Sequence, residues 1–245
     1  MTHPPSSPST FAALLADRLR NDPGQPLVTF YDHASGERTE LSVTTWANWV
    51  AKAGSLLVDE LGLERGDRLR IDLPPHWLGT VFLGAAWNAG LVITDEDDVD
   101  AVVCGPATLE RWAPLAAEVV VLAAALLPLG VRFPDPVPAG VHDLGIEIWS
   151  QPDAFVPWDP PGPDDVAVVA GGVEQTQAQL WTAAAAGAPE PGSRLLSEAN
   201  PVTELATFTE PLVSSGSLVL VTRTEPAKLE ATYVAERATV RFPAG

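Results

Sequence analysis

Three short stretches of this chain carry residue types that could do chemistry. The first is Asp164 to Trp181, DDVAVVAGGVEQTQAQLW, in which an apolar run, a Gly-Gly pair and a polar, helix-compatible segment follow one another. A strand, a glycine turn and a helix N-terminus in that order can cradle a phosphate. Here, however, the turn offers only the amides of Gly171 and Gly172, and the neighbouring Glu174 would repel an anion. A tight connection between strand and helix is therefore the preferred reading of the pair. The second stretch is Pro74-Pro75-His76-Trp77, which follows a strand pattern at its carboxyl end, where open α/β sheets tend to place ligands. A histidine near its free pKa beside an exposed indole would suit binding or acid–base work. Trp77 with Leu78 and Val81 also fits the start of a buried helix face, and packing is the stronger expectation for both residues. The third is Thr94 to Asp100, TDEDDVD. Counted from Asp95, the glycine and glutamate that an EF-hand needs at its sixth and twelfth positions are replaced by Asp100 and Pro106. A solvated acidic loop is expected there.

Little else in the chain suggests a reactive centre. The four histidines, His3, His33, His76 and His142, have no metal-ligand spacing, so neither a metal nor a cofactor is expected. The single cysteine, Cys104, excludes an intrachain disulfide and a thiolate cluster, and no Gly-x-Ser-x-Gly elbow occurs. A formal charge of −18 disfavours nucleic acid and anionic membrane as partners. The longest apolar run, Val119 to Val131, contains Pro128 and falls well short of the roughly 20 residues that span a bilayer. The first residues, MTHPPSSPST, lack a basic-then-apolar leader, and a cytoplasmic location is expected.

The elements that must position these residues follow from periodicity. Residues 1–10 read as a disordered tail. Phe11 to Arg20 has apolar residues at helical spacing, and Leu27 to Tyr31 with Arg38 to Leu41 reads as a hairpin around Asp32 to Gly36. Ser42 caps a long helix that ends at Gly62; its Trp46 and Trp49 fall on the buried face, where core packing is favoured over a ligand platform. A strand at Arg68 to Leu73, an apolar helix closed by Gly90 and a strand at Leu91 to Thr94 give the order of a parallel α/β sheet. Further strands are expected at Asp100 to Cys104, Val119 to Leu122 and Gly145 to Trp149, with a helix interrupted by Pro114 between the first two. Nine prolines between Pro128 and Pro163 mark irregular connecting chain.

The chain then repeats itself. Gly66-Asp67-Arg68-Leu69, Pro75 and Gly90 are matched, at a constant offset of 126, by Gly192-Ser193-Arg194-Leu195, Pro201 and Gly216. Two related α/β lobes with largely parallel sheets flanked by helices are expected, at 11–127 and 164–245, joined by the Pro-rich connection 128–163.

The order LSVTTWANWVAKAGSLLVDELGLERGDRLRIDLPPHW, an apolar helix and NAGLVIT resembles the N-terminal region of the adenylate-forming enzymes, which include the acyl-CoA synthetases. More narrowly, the short chain resembles an uncharacterised actinobacterial family distantly similar to them. The resemblance implies two similar α/β subdomains and, for an active member, ATP-dependent activation of a carboxylate. Such members hold the triphosphate on a Ser/Thr/Gly-rich loop ending in Pro-Lys-Gly; at the matching place this chain has only Gly171 and Gly172. Where they carry an aromatic or histidine-bearing segment along the acyl pocket, this chain reads Asn200-Pro201-Val202-Thr203. Their adenine motif and catalytic lysine lie beyond the point where this sequence stops. The expectation is a protein that does not adenylate and binds a small ligand or a protein partner, with Gly171, Gly172, His76, Trp77 and Asn200 as candidate ligand-site residues. An acyl-activating enzyme completed by another chain and a scaffolding homo-oligomer are the alternatives. Trp112, Trp149 and Trp158, in or near the irregular chain, would form a partner surface if exposed together.

Overall fold

A computed structural model describes residues 9–243, the Leu129 side chain excepted. His3 and most of the expected tail lie outside the described residues. The first repeat runs through α1 (Phe11–Asn21), β1 (Pro26–Asp32), β2 (Glu37–Ser42), α2 (Val43–Ser55), β3 (Arg68–Asp72), α3 (Trp77–Ala89), β4 (Val92–Thr94) and β5 (Ala101–Cys104). Then come α4 (Leu109–Trp112), β6 (Val120–Ala123), β7 (His142–Asp143) and α5 (Leu144–Glu147). The second repeat follows as β8 (Val166–Ala170), β9 (Val173–Thr176), α6 (Gln177–Gly187), β10 (Arg194–Ser197), α7 (Ala206–Val213), β11 (Ser217–Thr222), α8 (Pro226–Ala235) and β12 (Val240–Phe242).

The starts of α1, α2, α3, α5 and α6 carry side-chain caps. The Ser42 hydroxyl accepts from the Thr45 amide at 3.1 Å, and Thr176 forms a reciprocal capping box with Gln179. Helix α2 runs into a π turn over Leu56–Glu60, and the chain leaves it through Gly62 at φ 76. The strand expected at Gly145 to Trp149 is instead α5 followed by a 3-10 turn, because the Asp143 carboxylate caps the Gly145 amide at 2.9 Å. That capped amide starts a helix, and it outweighs the strand preference of Ile146, Ile148 and Trp149.

Two sheets result, one of seven strands in the order β7-β6-β5-β3-β4-β8-β9 and one of five in the order β12-β10-β11-β1-β2. Pairing is parallel throughout except within the two hairpins, β1 with β2 and β8 with β9. The stretch β5-β3-β4-β8-β9 matches β12-β10-β11-β1-β2 position for position, and the repeats exchange their hairpins. Strand β1 lies against β11, with Val28 opposite Leu218, while β8 lies against β4, with Ile93 opposite Val168. Each sheet thus takes strands from both of the segments 11–127 and 164–245. The offset of 126 survives in the turns: the Asp67 amide bonds Glu64 O and the Ser193 amide bonds Glu190 O, both at 3.0 Å.

Strand alternation sends Leu69, Ile71, Ala101 and Val103 of one sheet, and Val28, Phe30, Leu218 and Leu220 of the other, into one core shared with α1, α2, α3, α6 and α7. Val102, Cys104 and Val121 pack on the opposite face with Trp112, and Val219 and Val221 pack beside Leu229 and Tyr233 of α8. At the centre the Phe11 ring lies 6.0 Å from those of Trp46, Trp87 and Trp181. Buried Gln177 ties this cluster together. Its carbonyl accepts from the Phe11 amide at 3.1 Å and the Trp181 indole at 2.9 Å, and its amide donates to Trp87 O at 2.9 Å. No helix among the described residues is long and apolar enough to cross a membrane.

Candidate functional site

The carboxyl ends of β3, β4 and β8 open onto one cleft of ≈ 260 Å³, closed on the far side by the segment after β10. This is where a parallel sheet leaves loops free to hold a ligand. Asp72 and Leu73 end β3, Thr94 and Asp95 end β4, and Asn200 and Thr203 face them from the second repeat. Asn200 holds that segment in place: its amide donates to Leu73 O at 2.8 Å, and its carbonyl accepts from the Val202 amide at 3.1 Å.

The polar groups of the cleft are largely engaged with one another. Asp72 accepts from the Trp112 indole at 2.7 Å. Arg70 is paired with Asp97 at 2.8 Å and also donates to the Asp95 carbonyl. Both Asp95 carboxylate oxygens lie 3.2 Å from the Gly171 amide, which donates to them. A carboxylate therefore already occupies the anion-facing side of the glycine turn.

That turn differs from the expectation in one respect. Gly171 and Gly172, at φ 56 and 76, join two antiparallel strands, and the helix begins only at Gln177. Two consecutive positive φ values in a two-residue loop are the geometry of a type I′ hairpin turn, which glycine adopts without strain. Glu174 and Gln175 read as helix-compatible by composition but pair across to Val169 and Val168 as strand.

His76 and Trp77 lie outside the cleft. The His76 ring is 4% exposed, covered by Phe30 at 4.8 Å, and its Nδ1 accepts from the Leu78 amide at 3.2 Å as the cap of α3. Burial pushes its pKa down to about 3, so it is neutral, and its Nε2 has no partner among the described residues. Trp77 is 1% exposed and its indole nitrogen is likewise unpartnered there. Of the candidate residues, Asn200 lines the cleft, Gly171 adjoins it only through its bond to Asp95, Gly172 lines a separate pocket with Arg65 and Glu174, and His76 and Trp77 lie in the core. Burial, with Asp72 adding to it, pushes the Cys104 thiol up to about 12, which makes it a poor nucleophile.

Three arginines pair with the acidic loop. Arg68 reaches Glu96 and Asp98, while Arg70 and Arg111 both reach Asp97. No group of three or more metal-ligating side chains occurs among the described residues. Sequence reasoning passed over Asp72 and Arg70 and took Asp95 only as part of a solvated acidic loop; the available signal for Asp72 and Asp95 was their position at the carboxyl ends of consecutive parallel strands. Of the three tryptophans near irregular chain, Trp112 is buried whereas Trp149 and Trp158 are 53% and 93% exposed.

No protein-family model matches the chain. A TIGR03089 family protein of Mycobacterium tuberculosis (strain ATCC 25618 / H37Rv) is 36% identical over 246 residues, covering 96% of this chain and 98% of that protein. Among solved structures, a Brucella canis acyl-CoA synthetase superposes with a TM-score of 0.79 at 15% identity over 98% of this chain and 48% of its own. Acetoacetyl-CoA synthetase from Streptomyces lividans gives 0.76 at 18% identity, over 95% of this chain and 42% of its own. The N-terminal domain of FACL13 from Mycobacterium tuberculosis gives 0.72 at 14% identity, with 95% and 62% covered. At these identities the likeness is one of fold, that of acyl-CoA synthetase N-terminal domains, and the chain spans about half the length of the first of these synthetases.

Proposed function

The chain belongs to the TIGR03089 family, and we propose that it is a non-adenylating protein that uses the acyl-CoA synthetase N-terminal fold to bind a small ligand in the cleft between the repeats. The observation that carries this reading is the Gly171-Gly172 turn. A triphosphate needs several donors and a cation, whereas this turn has one amide committed to Asp95, and the nearby Arg70 is paired with Asp97. The cleft, at ≈ 260 Å³, is also smaller than the roughly 300–1,000 Å³ usual for drug-sized ligands. A short acyl group or a single ring suits it better than a nucleotide.

Thermal unfolding against ATP, AMP and a panel of fatty and amino acids, with and without magnesium, tests the proposal. A ligand present at 100 times its dissociation constant stabilises the native state by about 2.7 kcal/mol. Stabilisation by an acid or ring and none by ATP is the expected result. A magnesium-dependent shift with ATP, accompanied by pyrophosphate release, would overturn it in favour of an acyl-activating enzyme. Val156 and Trp158, 84% and 93% exposed and two residues apart in the connecting chain, favour a partner surface as the second reading, to which a complete absence of shifts would lead.

A further inference from the structure

A second groove, of ≈ 480 Å³, shares no lining residue with the cleft. Thr45, Asn48, Trp49 and Lys52 of α2 line one side of it; they follow one another at three, one and three residues and so occupy a single helix face. Arg38 to Leu41 of β2 form a second wall, and Trp149, just past α5, a third.

Its aromatic surface is fixed in place. The Trp49 ring meets Trp77 edge-on at 5.0 Å and Trp149 edge-on at 5.5 Å. A Cβ added at Gly130 would come within 3.0 Å of the Trp49 ring edge, so the turn at Pro128–Gly130 is pressed against it from another side. Trp149, half exposed, stands at 69° to Trp49, so the two rings form an aromatic corner with a face on one side and an edge on the other. The charges along the groove are already balanced. Arg38 is paired with Glu40 at 2.6 Å and Glu236 at 3.0 Å, and Lys52 with Asp153 at 3.1 Å. An anionic ligand would have to compete with these carboxylates. The Asn48 carboxamide, by contrast, makes no side-chain hydrogen bond among the described residues and offers one acceptor and two donor hydrogens.

We propose that this groove binds a neutral, planar aromatic ring bearing an amide-like edge, with the ring lodged in the corner between Trp49 and Trp149 and the edge paired with Asn48. The site is independent of the cleft and of whether the cleft holds anything.

Calorimetric titration of the whole chain with benzamide, cyclohexanecarboxamide, benzoate and benzyltrimethylammonium separates the contributions of ring, edge and charge. Saturable binding of benzamide, in preference to the other three, is the expected result. Trp149→Ala and Asn48→Leu should each weaken it about tenfold, while Trp158→Ala leaves it unchanged. Because Trp149 and Asn48 both reach solvent, circular dichroism and the unfolding midpoint should stay near those of the parent and certify folding. The proposal is overturned by an absence of saturable benzamide binding, by equal or tighter binding of any of the other three probes, or by parent-like affinity in both groove variants.

Discussion

At the scale of single residues, His76 shows how burial converts a chemically suggestive side chain into a structural one. Its imidazole caps α3 and lies under Phe30, and burial lowers its pKa from 6.5 to about 3. A group with a depressed folded-state pKa binds protons in the unfolded chain first. Its contribution to stability is therefore present above pH 6.5 and is lost as pH falls towards 3. His76→Asn keeps a capping acceptor for the Leu78 amide and removes the titration. The variant should lose about 1–3 kcal/mol at neutral pH, from lost packing. Its stability should fall less steeply between pH 6.5 and 3 than that of the parent, as read by urea unfolding at several pH values. Parallel pH profiles for the two proteins would rule out His76 as a source of acid sensitivity. The sequence placed this histidine correctly at a strand end but held nothing to show that Phe30, in a strand pairing with the other repeat, would cover it. Asn200 was legible only as a departure from a resemblance, because its bond to Leu73 spans 127 residues of chain.

Among the elements, the β8-β9 hairpin is the informative one. Its composition, with Glu174-Gln175-Thr176-Gln177 after two glycines, suits a helix start, and the helix does arrive, one strand later, at the Thr176 cap. The helix was expected from Glu174, three residues early, because the strand ahead of the Thr176 cap depends on pairing with β8, which composition does not report. A Cβ added at Gly171 or Gly172 would meet nothing within 4 Å, so the cost of substitution there is conformational alone. Gly171→Asn should be close to neutral, since Asn-Gly is a favoured type I′ pair, whereas Gly171→Val should cost about 1–2 kcal/mol in urea unfolding. Equal losses in both variants would mean that the glycine serves something other than the turn. Gly84 makes the opposite case, lying where a Cβ would come within 2.8 Å of Trp46 and Val50, so that it is there for space between α2 and α3.

For the whole molecule, the exchange of hairpins determines what can fold by itself. Strand β11 would be an apolar edge without β1, and β4 would be one without β8, so each repeat covers the other's exposed ladder. Arg18, from α1, donates to Leu212 O and Gly216 O of the second repeat at 3.4 and 3.2 Å, adding a polar tie across the same boundary. The full chain should therefore unfold in one cooperative transition. Fragments 9–127 and 164–243, expressed separately, should show neither a cooperative transition nor a compact elution volume, and mixing them should restore both. A fragment that folds alone would contradict the exchanged arrangement as the basis of stability. The repeat itself was legible from glycines and prolines at a fixed offset, because turns depend on local backbone conformation. Which strand lies beside which was not, because it is decided by surfaces that meet only after both repeats exist.

The same reciprocity leaves the molecule indifferent to whose hairpin it receives. Every contact between the repeats would be kept if the first repeat of one chain embraced the second repeat of another, and only the Pro-rich chain between them favours the closed monomer, by keeping its partner at high effective concentration. Shortening the part of that chain beyond Ser150, which carries neither β7 nor the core residues Leu144 and Ile148, until it no longer spans the distance would turn the fold into a domain-swapped dimer that keeps those core residues.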